Sequence, residues 1–155
     1  ILIQQTTQEN TEKALANLEG KLTVEALHTM ELATLQEYIR PAGFYKQKST
    51  YIKALIAWYR SHGASLEKFE AIPTEELRRE LLSIKGVGEE TADAMLLYIF
   101  KRNVFIADQY AIRLLNRLNL SSAQTYKALR EECMPLVADI PLETCQEWHA
   151  VIDMM

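Results

Sequence analysis

Three features of this 155-residue sequence predict an all-α fold. No stretch alternates apolar and polar residues long enough to make a strand; only Val104-Phe105-Ile106 reads as briefly extended. Apolar residues recur instead at three- and four-residue spacing, the signature of amphipathic helices. Helix starts and stops (Thr, Asp, Pro and Gly) punctuate the periodic segments at regular distances.

The opening run Ile1-Leu2-Ile3 resembles the middle of a helix, so the chain reads as a piece of something longer. Thr7 to Leu18 is predicted as the first complete helix, stopped by Gly20. Thr23 starts a short helix through His28. Leu32 to Ile39 forms the next and ends at Arg40-Pro41-Ala42-Gly43, where Pro41 pushes Arg40 out of helical geometry. A long helix follows from Tyr45 to Ser61, with Ile52, Leu55, Ile56 and Tyr59 on one face, stopped by Gly63. Ser65 to Phe69 is a short helix. Pro73-Thr74 starts another, with Thr74 as cap and Glu75 and Glu76 in the first turn, where the helix dipole favours acids. It ends at Lys85-Gly86-Val87-Gly88. Glu89 to Arg102 is helical, with Ala92, Met95, Leu96 and Ile99 on its core stripe. After the Asn103–Ala107 connection Asp108 caps a helix through Leu118. Two more cover Ala123 to Cys133 and Leu142 to the end, the latter with Pro141 beside its first turn.

Composition narrows the function classes. Apolar runs fall far short of the ~20 residues that span a bilayer, and no leader pattern is legible. Cys133 and Cys145 are too few for a four-thiolate zinc or iron–sulfur site and read as buried reduced thiols. His28, His62 and His149 show no ligand spacing and read as surface or core residues. The net charge of −4 argues weakly against nucleic acid, but its distribution is uneven. From Arg40 to Leu66 there are five cations (Arg40, Lys46, Lys48, Lys53, Arg60) and no acid, interleaved with Phe44, Tyr45, Tyr51, Trp58 and Tyr59. From Ala94 to Arg130 there are six cations (Lys101, Arg102, Arg113, Arg117, Lys127, Arg130) and one acid, Asp108. Such zones suit a protein that turns one face to a polyanion; ordinary solvated helix faces are the plainer alternative.

The most informative stretch is Leu81 to Leu118. It reads as helix, a short hairpin on Gly86-Val87-Gly88, a second helix, and a loop ending in Asp108. Two glycines around one apolar residue permit a sharp turn and close backbone approach. The second feeds a helix whose first N–H groups lack internal partners and attract anions, so a DNA phosphate fits there. Asp108 follows Gly88 after nineteen residues.

Hairpin, spacing and aspartate together resemble the helix–hairpin–helix DNA glycosylase superfamily, which includes endonuclease III and the adenine glycosylase of mismatch repair. The resemblance covers nearly the whole chain. It implies two helical lobes with the active-site cleft between them: residues 1–102 as a six-helix lobe carrying the motif at about 75–102, and 103–155 as a second lobe that is incomplete without an N-terminal segment. It implies Asp108 as the catalytic carboxylate and Lys85, Gly86, Val87 and Gly88 as the phosphate grip. Gln5, in the segment Ile1–Thr6 that resembles the base-insertion loop, would be the wedge that fills the hole left by a flipped base. A monovalent cation at the backbone of Gly86 and Gly88 is also implied; no other metal is expected.

One position subdivides the family. Endonuclease III-type enzymes carry a lysine two residues after the second glycine, which forms a Schiff base and cleaves the strand. Here Glu90 stands there and cannot form an imine. The chain therefore resembles the monofunctional branch. Residues Ile84–Asp93 and Arg40–Lys48 are most similar to the 3-methyladenine DNA glycosylase III type. The expected function is hydrolysis of the N-glycosidic bond of a flipped alkylated purine in double-stranded DNA, without lyase activity. No cofactor and no iron–sulfur cluster are expected within the chain, which is taken as a monomer of the bacterial cytoplasm and nucleoid. Two alternatives stand beside it: an endonuclease III-type glycosylase for oxidised pyrimidines or mispairs, and a non-catalytic helix–hairpin–helix module that grips DNA backbone. A pure binding module has no use for an isolated carboxylate at Asp108.

Overall fold

The computed structural model describes residues 1–155 and contains nine α-helices and no strand. In chain order they are α1 (Gln8–Asn17), α2 (Val24–Thr29), α3 (Leu32–Ile39), α4 (Tyr45–Ser61), α5 (Thr74–Ser83), α6 (Glu89–Tyr98), α7 (Gln109–Arg117), α8 (Tyr126–Val137) and α9 (Leu142–Met154). Arg40–Ala42 and Leu66–Phe69 are single 3₁₀ turns. None of these helices is long and apolar enough to cross a membrane. Side-chain caps set four of the starts. Thr7, Thr23, Asp108 and Thr125 accept from the backbone N–H three residues on, satisfying a donor that the helix itself cannot.

The chain divides into two compact units. The first comprises residues 1–71 and 83–87, the second 72–82 and 88–155. This differs from the expected boundary after residue 102. Helix α6 goes with the later helices because it packs on α9, where the Gln146 side-chain amide donates to the Leu97 carbonyl at 3.1 Å.

In the first unit, Ala14 and Leu18 of α1, Leu35 and Ile39 of α3, and Ala42 form a buried core. Leu2, Leu27, Met30, Tyr38, Tyr45 and Ile52 pack around it. Each fully buried leucine contributes about 1.5–3 kcal/mol. Phe69 is buried under a stack of Tyr59, Trp58 and His62, with centroid separations of 5.7, 5.0 and 4.9 Å.

In the second unit, Leu77 and Leu81 of α5, Leu96 and Leu97 of α6, the segment Val104–Ala107, and Leu129 and Val137 of α8 are buried. The Asn103 side-chain amide donates to the carbonyls of Val137 and Ile140 at 2.9 and 2.6 Å, which pins the connection to the end of α8. Cys133 and Cys145 are buried free thiols, and burial pushes both up from the ordinary thiol value.

Several expectations need correction. Ile1–Gln5 forms turns, not helix, with Gln5 left-handed at φ +53°. Thr74 is the first residue of α5 and does not cap it; its hydroxyl accepts from Arg102 at 3.0 Å. Helix α6 stops at Tyr98 because Lys101 turns left-handed, and the N–H of Arg102 folds back to the Leu96 carbonyl at 2.8 Å. Its buried stripe is Ala92, Asp93, Leu96 and Leu97, while Ile99 is 44% exposed. Helix α8 starts three residues later than expected, at the Thr125 cap, and carries Pro135 in its last turns.

Candidate active site

The two hairpin glycines are glycine for different reasons. Gly86 lies at φ +92°, and a Cβ there would sit 2.2 Å from Cγ of Tyr51. The turn and the close packing of Tyr51 both require it. Gly88 has an ordinary extended backbone, φ −90° and ψ −177°, and a Cβ there would meet nothing within 4 Å. Neither backbone geometry nor packing within the chain demands glycine at 88. Val87 is buried and anchors the turn; its N–H already donates to the Ile84 carbonyl at 3.0 Å, so it is not an open donor. Gly88 is the N-cap of α6 and has no side chain to cap the helix. Lys85 and Gly88 are exposed. The neighbouring turn brings Gln4 to the hairpin, its amide donating to the Gly86 carbonyl at 3.4 Å. Gln5, the expected wedge, is the next residue of that turn and is exposed.

Asp108 is the N-cap of α7. Its Oδ1 accepts the Ala111 N–H at 2.9 Å, and the residue is only 4% exposed. A carboxylate fixed by a cap in a buried setting has one oxygen committed and one available. Three further titratable groups converge on it. Nε2 of His149 stands 3.7 Å from Asp108 Oδ2 and 3.1 Å from Asp153 Oδ2. The other ring nitrogen, Nδ1, lies 2.6 Å from the Tyr98 hydroxyl. Burial lowers His149 from its ordinary value, against the pull of Asp108. Asp153 is pushed up to about 7, first by desolvation, then by its hydrogen bond and charge contact with Asp108, with Glu90 adding to it. Glu90 is itself raised by desolvation and by the charge of Asp108. The position where the family's lyases hold lysine is therefore in electrostatic reach of Asp108. Glu89, by contrast, pairs with Arg78 at 3.4 Å.

Asp108, His149 and Asp153 offer atoms within 4.8 Å of one another, a spacing that would also suit a cation. The chemistry of the set fits a proton network better. The hydroxyl of Tyr98 and the carboxyl of Asp153 saturate both ring nitrogens, and the Asp108 carboxyl stands within 4.8 Å of the same group.

The basic zones are mixed: Arg40, Lys46, Arg60, Lys101, Arg113, Arg117 and Lys127 are exposed, while four other cations turn inward. Lys48 is 3% exposed and donates to the carbonyls of Leu2 and Ala42, both at 2.8 Å. Lys53 caps the end of α2 through the carbonyls of Leu27, His28 and Met30. Arg60 pairs with Glu25, and Arg40 with Glu37. Arg102 donates to the Ile72 carbonyl at 2.8 Å. Arg130 and Arg78 converge on Asp93. Six of the cations in these zones therefore act as caps or ion-pair partners, and the exposed remainder faces solvent. Tyr110 is half exposed beside Asp108, with Arg113 over its ring at 5.0 Å, so it is not a core residue.

Two contributors were missed in the sequence. His149 and Asp153 sit four apart on α9, a spacing that puts them on one helix face. That pairing was legible, but its approach to Asp108 across 41 residues of sequence was not. Asp93 was read only as part of the motif, although it is fully buried at the centre of an ion network.

The HhH-GPD family model of base excision DNA repair proteins matches residues 1–139. The chain belongs to this superfamily. A Methanocaldococcus jannaschii protein, provisionally named DNA repair glycosylase MJ1434, is 34% identical over 98% of this chain and 71% of its own length. Endonuclease III of Sulfolobus acidocaldarius is 30% identical over 84% of this chain and 59% of its length. Among solved structures, the H. pylori 3-methyladenine DNA glycosylase bound to 1,N6-ethenoadenine superposes with a TM-score of 0.71 at 30% identity. That match covers 84% of this chain and 62% of the other. An endonuclease III–DNA complex matches the fold with a TM-score of 0.69 at 24% identity. The chain thus spans between 59% and 71% of these two sequence relatives. The all-helical class and the helix–hairpin–helix glycosylase fold expected from the sequence are those of the superfamily.

Proposed function

We propose that this HhH-GPD chain is the catalytic part of a monofunctional glycosylase that releases alkylated purines from double-stranded DNA, with Asp108 as its catalytic carboxylate. The observation that carries this reading is the setting of Asp108: a buried cap with one oxygen tied to Ala111, in a chain that holds glutamate instead of lysine at position 90. The 30% identity to the H. pylori 3-methyladenine glycosylase supports the substrate class.

The chemistry follows from these groups. Enzymes acting on a base first extrude its nucleotide from the stack. An N-alkylated purine is cationic, so its glycosidic electron pair departs onto a ring that becomes neutral, and little acid assistance is needed. Positive charge grows on the sugar, where the Asp108 carboxylate stabilises it. Water bonds to the anomeric carbon and gives up a proton to a base, for which Asp108 is the candidate. The products are free base and an abasic sugar in an uncut strand. Gly86 and Gly88 with Lys85 serve as the backbone grip, and the Gln4–Gln5 turn beside them is the candidate wedge. Carbonyls of the same hairpin are the candidate seat for a monovalent cation, with Gly86 also accepting from Gln4.

A glycosylase screen tests the reading directly: duplexes carrying 3-methyladenine, 7-methylguanine, 1,N6-ethenoadenine or thymine glycol, with released base measured by chromatography. Release of an alkylated purine is the expected result. The strand should stay intact until alkali is added, and borohydride should trap no protein–DNA adduct, because Glu90 has no nitrogen to form an imine. Glu90→Lys should yield measurable trapping if its amine is partly deprotonated by desolvation. Strong trapping by the wild type, with thymine glycol as the preferred lesion, would place the chain with the endonuclease III-type enzymes named among its relatives.

The phosphate grip has its own test. Gly88→Ala fits the fold without a clash, so thermal unfolding should be unchanged. Affinity should fall roughly tenfold, the loss of about one charge-assisted hydrogen bond. The loss should be equal on damaged and undamaged duplexes, since phosphate contacts carry no base information. Normal DNA affinity in this variant would remove Gly88 from the interface.

A further inference from the structure

We propose that Asp153 and His149 are positioning residues for Asp108: Asp153 shares a single proton with the Asp108 carboxyl, and His149, held by Tyr98, fixes the pair. The link to catalysis rests on the function proposed above; the proton pair itself rests on the convergence of Asp108, His149 and Asp153, whose polar atoms lie within 4.8 Å of one another around one imidazole nitrogen.

Two carboxyls whose oxygens lie within 4.8 Å of each other repel when both are ionised, and they can share a hydrogen bond only when one of them carries a proton. Asp108 is buried, which sharpens that repulsion. The imidazole between them is the other place a proton might reside. Its hydrogen bonds argue against that. A Tyr98 hydroxyl donating to Nδ1 leaves Nε2–H to donate to Asp153, which completes a neutral ring. Burial also disfavours the imidazolium. The proton therefore belongs to the carboxyl pair, which titrates as a unit.

Every charged neighbour acts in a consistent direction. From α6, Glu90 adds negative charge and raises the affinity of Asp153 for its proton, while Tyr98 presents a neutral hydroxyl. From α7, Asp108 is the dominant partner. Arg113 and Arg117 of α7 line an adjacent hollow with Ile152 and Met155 of α9 and do not pair with Asp153. From α9 itself only His149 joins.

The consequence is a carboxylate with two settings. While the pair holds its proton, Asp108 donates electron density to a neutral acid and offers the developing sugar cation one dispersed charge. Once the proton leaves, the cation faces two carboxylates, and stabilisation grows. Excision should therefore rise as pH increases through about 7.

Two measurements on the 155-residue chain test this. The first is carboxyl carbon NMR of the DNA-free protein. One aspartate should titrate near pH 7 in the wild type, disappear in Asp153→Asn, and fall in Asp108→Asn by the share that Asp108 contributes, with desolvation and Glu90 still holding it above the ordinary carboxylate range. The second is the single-turnover excision rate against pH on the alkylated duplex that the screen identifies. The wild type should show a step near pH 7. Asp153→Asn, a neutral donor at all pH, should match the wild type within twofold at pH 6 and run about tenfold slower at pH 8, without the step. Asp153→Glu should restore a step, which a merely structural loss would not do. His149→Gln keeps a donor and should retain the step; His149→Ala should shift it. A midpoint near 7 that persists in Asp108→Asn, or a wild-type Asp153 that titrates in the ordinary range, overturns the proposal. If no lesion is excised yet the NMR midpoint drops in Asp108→Asn, the pair stands and the enzymatic reading falls.

Discussion

Asp108→Asn should reduce base excision by roughly 10²–10³-fold or more while leaving the fold and DNA affinity intact. The substitution separates the two duties of this side chain. Asparagine caps a helix about as well as aspartate, so the bond to the Ala111 N–H survives and the unfolding midpoint should move by no more than about 2–4 °C. What is lost is the negative charge beside the sugar. Single-turnover release of free base and an equilibrium binding titration, run on the same variant, separate the two. Asp108→Ala is the control: it removes cap and charge together, and should add about 1 kcal/mol of destabilisation to the same loss of rate. Full activity in Asp108→Asn would exclude the residue from the chemistry.

The largest effect on stability is expected at Asp93. This carboxylate is fully buried and is satisfied from three sides. Arg78 grips it bidentately, Nε to Oδ1 at 2.9 Å and Nη2 to Oδ2 at 3.2 Å. Arg130 Nε donates to Oδ2 at 3.0 Å and the Tyr126 hydroxyl at 2.8 Å. Burial, then the charge of Asp93, pushes Tyr126 far above the ordinary phenol value, so it remains a neutral donor. The network ties α5, α6 and α8 together within the second unit. Asp93→Ala removes the buried counter-charge shared by two guanidinium groups and leaves them only the more exposed Glu89 at 3.4 Å and Glu75 at 3.5 Å; breaking such a buried pair costs up to about 3–5 kcal/mol. Denaturant unfolding should show it as a lowered midpoint at an unchanged slope. A loss below about 1 kcal/mol would mean that water reaches the arginines and the network is not sealed.

These two aspartates show where sequence reading succeeds and where it stops. The cap at Asp108 was legible because its signals are local: a cap residue type placed at the start of a helix period. The boundaries of α3 and α4 were legible for the same reason, as was the cap at Thr23. Asp93 looked like one more polar residue in a motif, because its partners Arg78, Tyr126 and Arg130 lie 15, 33 and 37 residues away. Nothing local records such a convergence. Individual cations in the basic zones were illegible for a related reason. Lys48 and Lys53 look like a polyanion face in sequence, yet each bends inward to a set of backbone carbonyls that only the fold assembles. The end of α6 was misplaced because Lys101 adopts a left-handed conformation that its residue type does not announce.

The hairpin turn at 83–87 folds with the first unit, while the residues on both sides of it, 72–82 and 88–155, fold with the second. Neither unit is therefore a continuous length of gene. A truncation, an exon boundary or a domain swap anywhere between residues 72 and 88 would take part of one unit away with the other. For the same reason no single crossover leaves both units whole: one before residue 72 parts 1–71 from 83–87, and one after 87 parts 72–82 from 88–155.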